Sequence, residues 1–216
     1  MRPAVVVTGT DTDVGKTVFA AALVTALSAD YWKPVQAGLE GETDREVVRR
    51  LSGASPERLI PEVYRLTTPA SPHLAAERDG LEIDVSRLAE LPAPASRVSL
   101  VIEGAGGLMV PLTRKELQID LFARWGAPVV LVASTRLGTI NHSLLSIEAL
   151  RRRDIPLAGI AFVGDENKDT ERTIAEMGSA HRLGRLPHLD PLDAQSLAAA
   201  FAAHFDAADL RSRVFA

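Results

Sequence analysis

Short, almost uninterrupted apolar runs alternate with segments of helical periodicity along most of this chain. The apolar runs predict strands at 3–9, 31–35, 98–104, 127–134, 156–163 and 180–187. The helical patterns predict helices over 15–28, 44–52, 141–152, 168–178 and 193–205, with a further short helix after Ser71 and Pro72 in an otherwise irregular, proline-rich segment over 53–83. Strands of this kind, alternating with helices, are typical of a parallel sheet covered by helices on both faces. We therefore predict an α/β fold in one domain over 1–216, since this length suits one sizeable core.

The loop after the first predicted strand carries the strongest local motif. It reads VTGTDTDVGKT and ends in Gly15-Lys16-Thr17, directly before an alanine-rich helical segment. The usual pattern G-x-x-x-x-G-K-[ST] has glycine at the place of Thr10, and here Gly9 stands one residue earlier. The N–H groups of a helix N-terminus can still cradle phosphates, with Lys16 reaching the β- and γ-phosphates and the Thr17 hydroxyl available to Mg2+. The position of the Gly15-Lys16-Thr17 motif between a buried strand and a helix favours a phosphate-binding loop over an ordinary turn. The motif therefore indicates a P-loop NTPase-type sheet.

Polar clusters follow four of the predicted strands. They lie at 9–17, 33–44, 103–107 and 134–142. Ligands of parallel sheets bind beyond the carboxyl ends of the strands, where such clusters meet at one edge. The sequence therefore predicts a single ligand site at this edge.

Three charged residues in these clusters are candidates for the site. Glu103 follows an apolar run and precedes Gly-Ala-Gly-Gly, which we interpret as a flexible turn, so its carboxylate is expected to serve Mg2+ directly or through water. Asp44 begins a helix with a Thr43/Glu46 capping box, where the helix dipole alone favours an acid, so metal binding and a structural role both stay open. Lys33 is interpreted equally well as a ligand for a phosphate or an anionic substrate and as a surface lysine.

Lysine is scarce in this chain. There are 20 arginines but only 4 lysines: Lys16, Lys33, Lys115 and Lys168. A lysine is therefore expected where a compact ammonium is needed and a planar guanidinium would not fit. Two of the four lie in the clusters just described.

Composition excludes several classes of function. The net charge of −4 does not suggest a nucleic-acid groove, and the lack of cysteine excludes disulfides and a thiolate nucleophile. No apolar run approaches the ~20 residues that span a bilayer. The first residues already predict a strand and show no signal-peptide pattern. We expect a soluble cytoplasmic protein with neither a nucleic-acid partner nor a membrane partner.

A second helix N-terminus that is able to bind an anion follows the fourth predicted strand. The stretch TRLGTINHS places a Gly-Thr turn, Gly138-Thr139, before a helix, which suits a carboxylate. The alternative for Asn141 is an ordinary polar residue of the first helical turn.

Seven strings of this sequence resemble one family, the dethiobiotin synthetases of biotin biosynthesis. They occur in the family's order over nearly the whole chain, and the displaced glycine of the phosphate loop is itself part of the family pattern. The strings are VTGTDTDVGKT (7–17), KPVQAG (33–38), SPH (71–73), EGAGGLMVPL (103–112), LGTINH (137–142), LAG (157–159) and LP (186–187).

The resemblance implies an ATP-dependent ligase that acts as a homodimer. Its members carboxylate 7,8-diaminopelargonic acid with CO2, transfer the γ-phosphoryl group of ATP to the carbamate, and close the ureido ring with release of ADP and phosphate. The resemblance implies phosphate binding by Lys16 and contact of Lys33 with the carbamate and the transferring phosphoryl group. It assigns Mg2+ to Thr17, Asp44 and Glu103.

The resemblance also assigns binding residues. Substrate contacts are implied for Lys33 and Ala37 and, from the partner subunit, for Gly138, Thr139 and Asn141, which would hold the far carboxylate. Nucleotide contacts are implied for Thr12, Asp13, Val14, Gly15, Lys16, Thr17, Val18, Asp44, Glu103, Gly104, Ala105, Gly106, Gly164, Asp165, Pro187, His188 and Leu189.

Two positions depart from the family pattern. Ala37 stands where serine or threonine is common, so a hydroxyl contact to substrate is lost or replaced. The Asn-Asp pair that reads adenine in many members is here Gly164-Asp165, in which only the aspartate corresponds. Preference for one base is therefore not predicted.

Two other classes compete with the ligase interpretation. A nucleotide-switch ATPase of the partitioning or septum-site type usually carries a second lysine early in the loop, where this chain has Thr10-Asp11. An amidase-coupled ligase would need a glutaminase domain with cysteine, which the chain lacks. Only the dethiobiotin synthetase interpretation accounts for both Lys33 and LGTINH.

Overall fold

The structure is a computed structural model, and it describes residues 3–93 and 99–215. Seven strands form a parallel sheet in the order β4-β2-β6-β1-β7-β8-β9, and β3 and β5 form a separate parallel pair. The prediction of a parallel α/β sheet is confirmed. The strands are β1 Ala4–Gly9, β2 Asp30–Trp32, β3 Val35–Ala37, β4 Leu59–Ile60, β5 Tyr64–Leu66, β6 Leu100–Gly107, β7 Val129–Ser134, β8 Leu157–Val163 and β9 Arg182–Leu186.

Helices connect these strands, and each predicted helix is present within a few residues of its expected bounds. The helices are α1 Lys16–Leu27, α2 Asp44–Ser52, α3 Pro72–Arg78, α4 Ser86–Ala89, α5 Gln118–Trp125, α6 Thr139–Arg151, α7 Lys168–Met177, α8 Ala194–His204 and α9 Ala207–Val214. The carboxylate of Glu46 accepts hydrogen bonds from the N–H (2.8 Å) and the hydroxyl (2.6 Å) of Thr43, which secures the start of α2. In the described ranges no helix is long and apolar enough to cross a membrane.

The core lies on both faces of the sheet, which explains the unbroken apolar runs. Along β1, Ala4 and Val6 pack into one cluster while Val5 and Val7 pack into the other. Successive side chains of a strand point to opposite faces, so a strand with both faces buried is apolar at every position.

The segment after β2 differs from the prediction. One strand was expected over 31–35, but β2 ends at Trp32 and β3 begins at Val35, in the other sheet. Pro34 has no N–H to continue the ladder, and its carbonyl accepts from Val63 and Tyr64 instead. The segment turns away from the main sheet here, and this leaves Lys33 at the sheet's carboxyl edge.

Other elements were not predicted at all. Strands β4 and β5 lie in the segment expected to be irregular, and α4, α5 and α9 had no predicted counterpart. The Gly-Ala-Gly-Gly stretch at 104–107 was interpreted as a turn, and that interpretation is wrong, because β6 continues through it to Gly107, which pairs with Gly9. Part of the predicted third strand, Val98, lies outside the described residues, as do positions 94–96 of the proline-rich stretch at 91–96.

Candidate functional site

The loop between β1 and α1 folds tightly around its own lysine. Nζ of Lys16 donates a 2.6 Å hydrogen bond to the carbonyl of Asp11, and the side chain is nearly buried. Gly15 precedes the helix with φ of 91°, a conformation that favours glycine. A Cβ at Gly9 would lie 2.8 Å from the Asp11 carbonyl, so this glycine is required by the close approach of the loop.

Three side chains from distant elements converge beside this loop. The hydroxyl of Thr17, at the start of α1, lies 2.7 Å from Oδ1 of Asp44 and 2.7 Å from Oε1 of Glu103. Asp44 is the first residue of α2, and Glu103 is fully buried within β6. The structure thus brings together all three residues that the resemblance assigned to a metal.

Lys33 lies in the same cluster and is not a surface lysine. Its side chain is 8% exposed, and Nζ donates a hydrogen bond to Oδ2 of Asp44. The same Nζ lies 3.5 Å from Oε1 of Glu103. A buried ammonium among two carboxylates, at the edge of a phosphate-type loop, is placed to contact an anionic ligand that enters the cluster.

Burial and mutual charge shift the titration of this cluster. Burial alone would lower the pKa of Lys33. The negative charges of Glu103 and Asp44 outweigh this effect of burial, so the pKa of Lys33 is raised. The pKa of Asp44 is lowered, because its interactions with Lys33, Thr17 and Gln36 exceed the cost of burial. The pKa of Glu103 is raised by its burial, which Lys33 only partly offsets. Burial lowers the pKa of Lys16, despite the opposing charge of Glu103.

Two residues that the sequence analysis missed support the cluster. The Tyr31 hydroxyl donates a 2.8 Å hydrogen bond to Oε2 of Glu103. Gln118 on α5 is buried, accepts from the N–H of Ala105 at 2.6 Å, and donates to the carbonyl of Gly107 at 3.2 Å. Neither residue could have been identified from the local sequence, because tyrosine is common in strands and glutamine is common at the start of helices.

A cavity of about 700 Å³ opens above this cluster. It brings together most of the residues expected to bind phosphates and substrate, including both candidate lysines and Ala37. The segment from Pro69 to Pro72, at the start of α3, also forms part of its wall, although the sequence analysis assigned it no ligand contact. The predicted residues that line it are Thr12, Asp13, Gly15, Lys16, Thr17, Val18, Lys33, Ala37, Asp44, Glu103, Ala105 and Gly106.

A second cavity of about 400 Å³ lies on the other side of the same loop. Asp13, Gly15 and Val18 line both cavities, so a ligand in one borders the other. Its wall also contains Ser134, Thr135, Arg136, Val163, Leu186 and Leu192, to which the sequence analysis assigned no nucleotide contact. The predicted residues that complete it are Val14, Gly164, Asp165, Pro187, His188 and Leu189.

Four predicted residues line neither cavity of the described chain. Gly104 packs behind the first cavity, where a Cβ would lie 2.9 Å from Nε2 of Gln118. Gly138, Thr139 and Asn141 lie at the start of α6, with Gly138 and Asn141 exposed. Within a single chain, the structure does not bring these three residues to the cluster around Lys33.

The fold is shared with the solved structures of a ParA family ATPase and of a cell division protein complex. The ParA family ATPase from Chlorobium tepidum has a TM-score of 0.55 and 13% identity, over 94% of this chain and 91% of that one. The MinC:MinD cell division complex of Aquifex aeolicus gives a TM-score of 0.54 and 14% identity, over 93% and 94% of the two chains. Identities this low show the common fold alone.

Sequence similarity is much closer to another group. The AAA domain family (AAA_26) matches residues 3–196. The ATP-dependent dethiobiotin synthetase BioD of Rhodopseudomonas palustris is 66% identical over 209 residues, 97% of either chain. The Brucella ovis protein of the same name is 59% identical over 205 residues, 95% of either chain. With such identity over nearly full length, this chain belongs to the family of the ATP-dependent dethiobiotin synthetases.

Proposed function

We propose that this protein makes dethiobiotin from 7,8-diaminopelargonic acid, CO2 and ATP, with release of ADP and phosphate. The activity is that for which the relatives are named. The observation that carries the proposal is the Lys33 ammonium, buried beside Asp44 and Glu103 in the cavity that also contains the phosphate-type loop. Such a site suits a reaction between an anionic nucleophile and a phosphoryl group.

The proposed reaction has three steps. One amine of the substrate adds to CO2 and loses a proton, which gives a carbamate. A carbamate oxygen attacks the γ-phosphorus, the bond to the β–γ bridging oxygen breaks, and ADP leaves. The second amine then attacks the carbonyl carbon of the carbamic–phosphoric anhydride, loses a proton and expels phosphate, which closes the ureido ring.

Positioning and charge are what this chain supplies to these steps. Lys16 and the loop N–H groups hold the phosphates at the start of α1. Lys33 and Lys16 are the two lysines among the described residues that line the cavity. In the proposed reaction the Lys33 ammonium contacts the carbamate and the phosphoryl oxygens. Holding two reactants in line and neutralising their charge is the main demand of phosphoryl transfer.

The cluster also fits a magnesium ion. The Thr17 hydroxyl, 2.7 Å from a carboxylate oxygen of Asp44 and 2.7 Å from one of Glu103, forms with them a set of hard oxygen ligands of the kind that Mg2+ prefers. When bound, Mg2+ would neutralise charge on the transferring phosphoryl group. The three residues would hold the ion, directly or through water.

The remaining contacts are proposed from the family resemblance. The second cavity accommodates the nucleoside, and the methyl group of Ala37 lines the substrate side of the first. Gly138, Thr139 and Asn141 hold the far carboxylate from the partner subunit of a homodimer. That dimer, the single domain over 1–216 and the cytoplasmic location stay predictions.

One assay separates this function from that of a nucleotide switch. Phosphate release by the purified protein is measured with and without diaminopelargonic acid and bicarbonate, and dethiobiotin is sought by mass spectrometry. We expect release to depend on both substrates and to match dethiobiotin formed. ATP hydrolysis that is independent of both substrates and increases with DNA or lipid vesicles would overturn the proposal in favour of the nucleotide switch.

A further inference from the structure

A buried carboxylate that lines neither cavity is held by two arginines. Glu171 on α7 has a side chain that is only 2% exposed. Arg182 and Arg185, both on β9, form ion pairs with it at 2.6 and 3.5 Å. A buried carboxylate needs such partners, since an unpaired one would be costly. The two arginines nevertheless differ in what else they contact.

Arg185 extends from Glu171 to the rim of the second cavity. Its side chain is 12% exposed, and it donates a 3.0 Å hydrogen bond from a terminal nitrogen to the carbonyl of Gly164. The other terminal nitrogen lies 3.8 Å from Oε1 of Glu166. One guanidinium therefore spans a buried carboxylate and both ends of the turn Gly164-Asp165-Glu166. Arg182 is 46% exposed and, in the described structure, forms no hydrogen bond or ion pair with this turn.

Gly164 is itself confined on its other sides. Its N–H donates a 3.0 Å hydrogen bond to the carbonyl of Leu186 on β9. Its φ is 130°, and a Cβ would lie 2.5 Å from the hydroxyl oxygen of Thr135. With the carbonyl held by Arg185, the orientation of the Gly164-Asp165 peptide is fixed, and both residues line the second cavity.

We propose that Arg185 is a positioning residue that holds the Gly164-Asp165 wall of the second cavity in the geometry that binds the base of the nucleotide. The proposal rests on the proposed function, in which that cavity takes the nucleoside. Arg185 lines neither cavity, so it acts through this wall and not by contact with the ligand. A planar guanidinium can contact three acceptors at once, whereas an ammonium is a single point charge.

The test compares two arginines that share one carboxylate. Arg185→Gln and the matched control Arg182→Gln each remove one ion pair of Glu171, but only the first releases the Gly164 carbonyl. Binding of a non-hydrolysable ATP analogue is measured by calorimetry, and kcat and KM for ATP are measured in the complete reaction. Loss of a hydrogen bond from a charged donor predicts about 10-fold weaker binding for Arg185→Gln. The change should fall on KM for ATP more than on kcat, and Arg182→Gln should bind the analogue as the wild type does.

A second ligand distinguishes positioning from a general loss of structure. Inorganic triphosphate engages the loop at the start of α1 but has no base, so its affinity should be the same in Arg185→Gln and the wild type. Weakening of both ligands to the same extent, or equal losses in the two arginine variants, would overturn the proposal.

The conservative variant covers the case in which Arg185→Gln does not fold. Arg185→Lys keeps a positive charge beside Glu171, so this variant should fold. It should still bind the ATP analogue several-fold more weakly than the wild type does. Wild-type affinity in Arg185→Lys would refute the positioning role. Failure of the wild type to bind the analogue at all would count against the proposed function and not against Arg185 specifically.

Discussion

The Tyr31 hydroxyl donates a 2.8 Å hydrogen bond to Oε2 of Glu103, while Oε1 of the same carboxylate faces Thr17 and Lys33. Strands β2 and β6 are neighbours, and Tyr31 pairs with Val101, two residues before Glu103 on the same face. Burial and the charge of Glu103 hold the pKa of Tyr31 well above its usual range, so the phenol stays protonated and donates. Tyr31 thereby orients a carboxylate that it shares with the proposed metal site.

Tyr31→Phe should loosen that carboxylate. Oε2 of Glu103 would be left buried without its donor, which predicts a loss of about 1–3 kcal/mol in the free energy of unfolding. The Mg2+ concentration needed for half-maximal activity should rise several-fold, because Glu103 is no longer held in place. Urea unfolding and a magnesium titration measure the two effects. The control is Tyr64→Phe, which removes a hydroxyl that accepts from the N–H of Asp84, and it should leave the magnesium dependence unchanged.

Lys33→Arg should lower kcat by at least about 100-fold, as expected for loss of a positioned electrostatic group. The guanidinium keeps the charge but spreads it over a larger plane than the buried site beside Asp44 accepts. Affinity for ATP should change little, since Lys16 and the loop hold the phosphates. Lys168→Arg is the control, because the Lys168 side chain is 82% exposed. Near-normal turnover of Lys33→Arg at saturating substrates would show that Lys33 is not the catalytic lysine.

Gln118→Glu should distort the wall that carries Ala105 and Gly106. The substituted side chain can still accept from the N–H of Ala105 but cannot donate to the carbonyl of Gly107, and it brings a buried charge against that oxygen. We expect a lower urea midpoint and a fall of about 10-fold in kcat/KM for ATP, the size of one lost buried hydrogen bond. The same substitution at the exposed Gln195 should change neither quantity. Equal effects at the two positions would contradict the role of Gln118.

Lys16→Met should make the nucleotide-free protein more stable and inactive. Burial lowers the folded-state pKa of Lys16 below its ordinary value of 10.5, so its charge destabilises the folded state near neutral pH. Between the lowered pKa and 10.5, Lys16 is protonated to a greater extent in the unfolded chain than in the folded one. Its titration therefore raises the free energy of unfolding of the wild type as pH rises. The advantage of Lys16→Met should therefore shrink over that range. Urea unfolding from pH 7 to 10.5 measures it, and an advantage that grows with pH would contradict the assignment.

Subunit mixing tests whether the site spans two chains. If Asn141 serves the partner's Lys33, then Lys33→Arg and Asn141→Asp chains are each nearly inactive alone but complement each other in mixed dimers. Random assortment gives one intact site in half of the dimers, so about a quarter of wild-type activity should return. Light scattering should report a dimer. No recovery on mixing, with both variants dimeric and folded, would contradict a site shared between Lys33 of one chain and Asn141 of the other.

The sequence by itself determined the class of fold, the phosphate-type loop and the family. These follow from local patterns: strands buried on both faces are apolar at every position, and the Gly15-Lys16-Thr17 motif is continuous in the chain. The same locality explains the errors. The pair β3–β5 joins short segments far apart in sequence, and the extension of β6 through Gly107 depends on pairing with Gly9.

Only the tertiary structure decided which residues meet. Strand β6 lies between β2 and β1, and this order alone brings Glu103 to both Tyr31 and Thr17, the latter 86 positions away. The contact between Arg185 and Gly164 likewise depends on β8 and β9 being neighbours. Strand order results from packing both faces of the whole sheet against helices, so no short stretch of sequence encodes it.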